Sequence, residues 1–244
     1  MAKLDDVISE LAAANRILAH NGVVDAYGHI SVRHPHDPKR FLLSRSKSPE
    51  LVEPSDILEF GLDGELADGV TGKPYLERYI HAGIYEANPA IMSVVHSHAL
   101  DVLPFSISSV PLMPVIHTAS HCGHQIPVWD IADKFGDTGL LVTTREQGRD
   151  LAKVLARHRV ALMRGHGFAA AGRTLGEVLK VSIYLPQNAR VLMDAMRLGG
   201  TVKPLSAREI EIRDEGGPGG RELDRAIEYW AAMANCSHLL PKRT

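Results

Sequence analysis

The chain has little cysteine, few aromatic residues and no excess of either charge, and each shortage removes a class of protein. Only Cys122 and Cys236 occur in 244 residues, without a Cys-x-x-Cys pair, which excludes a disulfide-stapled scaffold and a cysteine-rich structural zinc module. Lys and Arg number 27 against 29 Asp and Glu, a formal net charge of −2, so there is no basic footprint for nucleic acid or an anionic membrane surface. No apolar run approaches the roughly 18 residues of a membrane span, and the amino terminus lacks the apolar core of a secretory signal. These absences predict a soluble, cytoplasmic protein with no nucleic-acid and no membrane partner. A hydrophobic content of 45% over this length is enough for one sizeable core.

Histidine is what the chain does have, 13 in all. Met92, Ser93, Val94 and Val95 read as a short apolar strand that delivers His96 and His98 at its end. Residues two apart on a strand face one side, so the two imidazoles converge. A third, His166, follows another apolar run (160–163) between Gly165 and Gly167, which permit close backbone approach. Three histidines with a position left open are the catalytic pattern for a divalent ion such as zinc. Glu77, on a helix expected over residues 75–87 with Pro74 leading in, is the companion carboxylate, as a further ligand or as an acid/base. His81 lies four residues on, on the same helical face, and is expected as a hydrogen-bond partner of Glu77, with a rival reading in which His81 is the ligand.

With these residues in place, the chain resembles the class II aldolase/adducin family over residues 4–196. Glu77, His96, His98 and His166 look like that family's acid/base and three-histidine metal site, and 28–33 (GHISVR) looks like its GN(I/V)S(V/A)R segment. His29 stands where the sugar-phosphate aldolases have Asn. The resemblance implies an α/β fold, a three-layer α/β/α domain with a central, mainly antiparallel sheet. It also implies a divalent metal cofactor, zinc or manganese, and a homotetramer with the active site between subunits. The same aldolases carry a Thr/Ser-Gly phosphate turn and a Ser-Ser pair before the glutamate. Here Lys47 replaces that glycine and Tyr75-Leu76 the serines, so the phosphate pocket is expected to be dismantled. Arg45, Ser46 and Lys47 are then expected to hold a substrate carboxylate, for which the planar guanidinium is suited.

Elsewhere, residues 5–20 form an amphipathic helix stopped by Gly22. Residues 30–32 and 41–44 form a hairpin, 57–60 a third strand, 139–143 another strand and 145–157 a helix. His34 and His36 are expected as loop residues. A helix over 175–196 is expected to be kinked or interrupted by Pro186. His117, His121, Cys122 and His124 crowd one segment, and His117 is the residue placed nearest substrate. Domain organisation is expected as 1–215, the aldolase-like unit, followed by 216–244, a glycine-rich linker (216–220) and a final helix over 221–234 carrying Trp230, on the same domain or a neighbouring subunit.

Together with the retained ligands and the lost phosphate turn, 28–31 (GHIS) and 44–52 (SRSKSPELV) resemble the decarboxylases of the family; the resemblance implies a metal-dependent decarboxylase of a hydroxylated aromatic or heteroaromatic dicarboxylate, with Glu77 and His29 as catalytic residues and a small carboxylate as substrate. The alternatives are an aldolase or epimerase of a sugar or hydroxy-keto acid, and an adducin-like interaction module without catalysis.

Overall fold

The computed structural model describes residues 3–215 and 220–241. In chain order its main elements are helix α1 (Leu4–His20), strands β1 (His29–Arg33), β2 (Arg40–Ser44) and β3 (Ile57–Gly61), α2 (Arg78–Ala87), β4 (Ser93–Ser97) and the short α3 (Leu103–Ser106). Then come β5 (Val128–Trp129), α4 (Ala132–Phe135), α5 (Arg145–Leu155), β6 (Val160–Met163), β7 (Gly167–Gly172), α6 (Leu175–Arg197), α7 (Ala207–Glu215) and α8 (Gly220–Met233). The strands form one sheet in the order β3-β2-β1-β4-β7-β6-β5, antiparallel throughout except between β5 and β6. No helix of the described residues is long and apolar enough to cross a membrane.

Strand alternation divides the interior in two. Ile30, Val95 and Phe168 face α1, α6 and α8, where Leu11, Ile17, Leu179, Ile183 and Trp230 complete one core. Phe41, Val94 and Ala169 face α2 and α5, where Ile80, Tyr85, Leu151 and Leu155 complete the other. Burying such side chains contributes about 1.5–3 kcal/mol each. The result is the expected three-layer α/β/α arrangement around a mainly antiparallel sheet. α8 packs on α1 and α6 of its own chain; residues 216–219 of the expected linker lie outside the described residues.

Two glycines set the α2–α5 distance. A methyl group on Gly148 would overlap the Tyr79 carbonyl, and one on Gly83 would overlap the backbone of Gly148. The helices therefore meet backbone to backbone, which brings Glu77, at the amino end of α2, beside the loop that enters α5.

Several local expectations need correction. Residues 139–143 are not a strand. Leu140 has φ 62°, and Thr144 and Gln147 form a reciprocal capping box at the start of α5, so the preceding residues are an irregular lead-in. The helix expected from residue 75 begins at Arg78, with Glu77 as its N-cap, because the Tyr75 side chain is tied back to Ser44 and Lys47. α6 runs through Pro186 without interruption, its buried Asn188 anchoring the 113–116 backbone. β7, FAAA between glycines, is a buried strand that was not foreseen, since alanine carries little strand preference.

Candidate metal centre

β4 pairs with β1 and β7 so that His96 sits opposite His29 on one side and Ala169 on the other. His98 follows just beyond the strand. His166 arrives from the turn between β6 and β7, where a methyl group on Gly167 would overlap the Ser97 carbonyl; only glycine lets the two backbones come this close. The Nε2 atom of His98 lies 2.9 Å from that of His96 and 3.0 Å from that of His166. Glu77 Oε2 is 3.4 Å from His96 Nε2, 3.5 Å from His166 Nε2 and 4.0 Å from His98 Nε2. The four ligand atoms all fall within 4.8 Å of one another.

The donor set fits a divalent ion on its own chemistry. His96 Nδ1 lies 3.1 Å from the Phe168 carbonyl and His166 Nδ1 lies 2.9 Å from the Leu140 carbonyl. A carbonyl only accepts, so each Nδ1 carries the hydrogen and each Nε2 turns a lone pair inward. Two lone-pair nitrogens turned to one point, with His98 Nε2 within 3.0 Å of both and the Glu77 carboxylate beside them, make a donor set that a cation completes. Tetrahedral zinc would set neighbouring donors about 3.3 Å apart, slightly wider than they stand here.

Burial pushes the Glu77 carboxyl group up, but the neighbouring His96 and His166 outweigh it and hold the carboxylate far below its ordinary range. Its other oxygen, Oε1, accepts from the Val142 amide at 2.9 Å. Burial, then His96 and His166, push His98 down to about 4. The segment read as a strand thus supplies two backbone contacts of the centre, the Leu140 carbonyl and the Val142 amide. The Thr-x-x-Gln capping signature at 144–147 was the sequence signal for this loop.

The other predicted residues are placed as follows. His29 is 3% exposed, with its ring 5.2 Å from His96 and 4.5 Å from Tyr75. His81 does not serve Glu77; its ring nitrogens bind His29 and Ser31, because Glu77 stands at the helix cap and turns to the loop. Arg45 and Lys47 converge on the buried Asp56, Arg45 Nε at 2.7 Å and Lys47 Nζ at 2.6 Å. The Asp56 carboxyl is held at about 2: burial pushes it up, and the bonds from Lys47, the Glu53 amide and Arg45 pull it down further. Ser46 is exposed, and its amide donates to the Lys73 carbonyl at 2.7 Å. His117 is exposed on a 3₁₀ turn, His117–Cys122, and is not among the four clustered residues; His121 on the same turn is buried beside Asp214, and His124 is exposed.

The pattern of the class II aldolase and adducin N-terminal domain matches residues 9–193. Decarboxylase tropJ of Talaromyces stipitatus is 36% identical over 195 residues, 75% of this chain and 73% of that one. The 3,4-dihydroxyphthalate decarboxylase of Arthrobacter keyseri is 27% identical over 220 residues, covering 85% and 86%. In fold, the chain is similar to an aldolase II superfamily protein from Pseudomonas syringae (TM-score 0.78, 19% identity, 98% and 96% covered). It is also similar to L-fuculose 1-phosphate aldolase from Glaciozyma antarctica (TM-score 0.70, 21% identity, 97% and 90% covered). The chain therefore belongs to the class II aldolase and adducin family, as a carbon–carbon lyase.

Proposed function

We propose that the protein is a decarboxylase that uses a divalent ion, zinc or manganese, to act on a hydroxylated aromatic or heteroaromatic dicarboxylate, of the 3,4-dihydroxyphthalate or 3-hydroxy-2-methylpyridine-4,5-dicarboxylate kind. The observation that carries this over a sugar-phosphate aldolase is the state of the 45–47 loop. A phosphate needs a nest of free backbone N–H groups. Here the Arg45 amide donates to Asp56 O and the Ser46 amide to Lys73 O, each at 2.7 Å, and the Lys47 amide faces the Tyr75 hydroxyl at 3.4 Å. All three amides have partners within the chain, while two cationic side chains remain at the loop. The named decarboxylases among the relatives support the same reading.

In this reading His96, His98 and His166 hold the ion. When bound, it supplies Lewis-acid stabilisation of the negative charge left as carbon dioxide departs. The bonding pair stays on the ring carbon, which takes up one proton, and Glu77 handles that proton at Oε2 while Val142 fixes Oε1. His29 assists from the opposite strand. Arg45 binds Asp56 through Nε and keeps its terminal nitrogens for the second carboxylate, beside Ser46 and Lys47. His117, exposed in the single chain, reaches substrate from a neighbouring copy, as in a tetramer with its site between subunits. Support for such a boundary comes from Tyr27, whose ring is 6.3 Å from that of His98, and from Leu100 and Ile107; the three side chains are 68%, 77% and 65% exposed respectively.

The test is carbon dioxide release by metal-loaded protein from a panel of hydroxylated aromatic dicarboxylates, with millimolar dihydroxyacetone phosphate as a competitor. Release without inhibition by the phosphate is expected. No release from any member, together with competitive inhibition by the phosphate, would return the aldolase reading to first place.

A further inference from the structure

Behind the metal centre a second set of buried polar side chains runs from β1 into α2. His29 Nδ1 lies 2.6 Å from His81 Nε2, His81 Nδ1 lies 2.6 Å from Ser31 Oγ, and Ser31 Oγ lies 2.8 Å from the Tyr85 hydroxyl. None of the four is more than 3% exposed, so solvent does not satisfy any internal member. Burial, then His81 and His96, hold His29 well below its ordinary value, and burial followed by His96 pushes His81 down to about 3. At 2.6 Å one of the two facing ring nitrogens must be bare, and two rings buried this deeply against each other stay neutral, so each carries one hydrogen.

The direction of this relay follows from counting hydrogens. Two hydroxyls and two neutral imidazoles bring four hydrogens to three internal contacts, so one hydrogen must leave at an end. At the Tyr85 end the hydroxyl is buried, its side-chain hydrogen-bond partner is Ser31 Oγ, and the Arg33 guanidinium, 4.8 Å from the ring centroid, can only donate. No second acceptor of the Tyr85 hydroxyl appears among the described residues, so Tyr85 donates to Ser31. Ser31 then donates to His81 Nδ1, and His81, protonated on Nε2, donates to His29 Nδ1. The opposite polarity would leave the buried Tyr85 hydroxyl hydrogen without an acceptor. The fourth hydrogen leaves on His29 Nε2, on the sheet face that carries His96.

We infer that His81, Ser31 and Tyr85 are positioning residues that lock His29 into the Nε2–H form, so that His29 meets the substrate as a fixed hydrogen-bond donor to an anionic oxygen beside the metal centre, and not as a base. The oxygen's identity, a carboxylate or ring oxygen, rests on the decarboxylase reading; the polarity of the relay does not. A donor fixed in this way discriminates against analogues that lack the matching acceptor, whose binding would leave the N–H unpaired.

The experiment is histidine-selective ¹⁵N labelling of the full chain loaded with zinc, with the His29 signals identified as those lost in His29→Asn. Two-bond ¹H–¹⁵N correlations then report which ring nitrogen carries the hydrogen. His29 protonated on Nε2 and His81 protonated on Nε2 are expected in the wild-type protein, and a hydrogen on His29 Nδ1 would overturn the inference. In Tyr85→Phe the donor that fixes the polarity is gone, so a mixture of His29 tautomers is expected; an unchanged single tautomer would show that the relay does not set it. Ser31→Thr, which keeps the hydroxyl, should retain the wild-type tautomer, and a tautomer change there would contradict the assignment of the hydroxyl as the link. Turnover measured beside the spectra should fall about tenfold to a hundredfold in Tyr85→Phe at unchanged metal content, the range for removing a hydrogen bond that orients a site group. The tautomer is read without substrate, so a protein that shows it yet releases no carbon dioxide refutes the proposed reaction and leaves the relay standing.

Discussion

Two stretches of this chain are rich in histidine, and only one gathers into a cluster that could hold a metal ion. His96 and His98 stand at the end of a strand whose neighbours bring His166 to within 3.0 Å. His117, His121 and His124 are as close in sequence, yet they diverge. The turn that carries the first two is a 3₁₀ helix, in which positions three apart eclipse and positions four apart do not. His117 consequently faces out, while His121 turns inward to Asp214 at 3.5 Å. The Cys122 thiol lies against the Val181 carbonyl, and burial pushes it up to about 12, so it is not a ready ligand. Density of ligands along the sequence counts for less than the period of the backbone that presents them and the cross-strand partners that close the set.

The sharpest way to separate a chemical role from ligation inside the first stretch is Glu77→Gln. Gln keeps the shape and the bond from Val142 but cannot exchange a proton near neutral pH. Turnover should fall by roughly two to four orders of magnitude while metal content and inhibitor affinity change little. Near-normal turnover with the metal intact would move proton transfer to another residue.

A smaller effect probes how the centre is positioned. Gly148→Ala places a methyl group on the Tyr79 carbonyl and forces α5 away from α2, with an expected loss of about 1–3 kcal/mol in unfolding free energy. Because the same contact sets Glu77 against Val142, turnover should fall as well, whereas Lys153→Ala on the exposed face of α5 should leave both unchanged. Equal melting curves for the two variants would contradict the backbone-to-backbone packing.

The weakest effect belongs to the second stretch. Burial, then Lys180, Arg159 and Arg213, push His121 down to about 4, with Glu177 opposing. The unfolded chain takes up this proton near pH 6.5 and the folded chain only near 4, so the contribution of His121 to stability falls as pH drops through that window. Denaturant midpoints should slope downward from pH 6.5 to 4 more steeply for the wild-type protein than for His121→Leu. The same slope in both would place His121 in contact with solvent.

Much of this was legible in the sequence. The apolar strand ahead of His96 and the glycine-flanked His166 contain their own geometry, since strand alternation and close backbone approach are local properties. The hairpin 30–44 and the amphipathic α1 are legible for the same reason. What was hidden depends on long-range partners. Leu140 and Val142 look like a strand until the capping box of α5 is weighed. His81 looks like a partner of Glu77 until the helix is seen to begin one residue after it. The pairing of Arg45 and Lys47 with Asp56 needs the β2–β3 register, which places Ser44 opposite Ile57; no spacing rule reveals it.

The central claim is that one divalent ion is held by His96, His98 and His166 and none by the second histidine stretch. Metal content measured on the wild-type protein, His166→Ala and a His117→Ala/His121→Ala double variant, prepared and dialysed together, tests it most directly. About one ion per chain is expected for the wild-type and double-variant proteins, and little metal for His166→Ala, since three ligands leave no redundancy. Full occupancy in His166→Ala, or metal lost only from the double variant, would contradict the account.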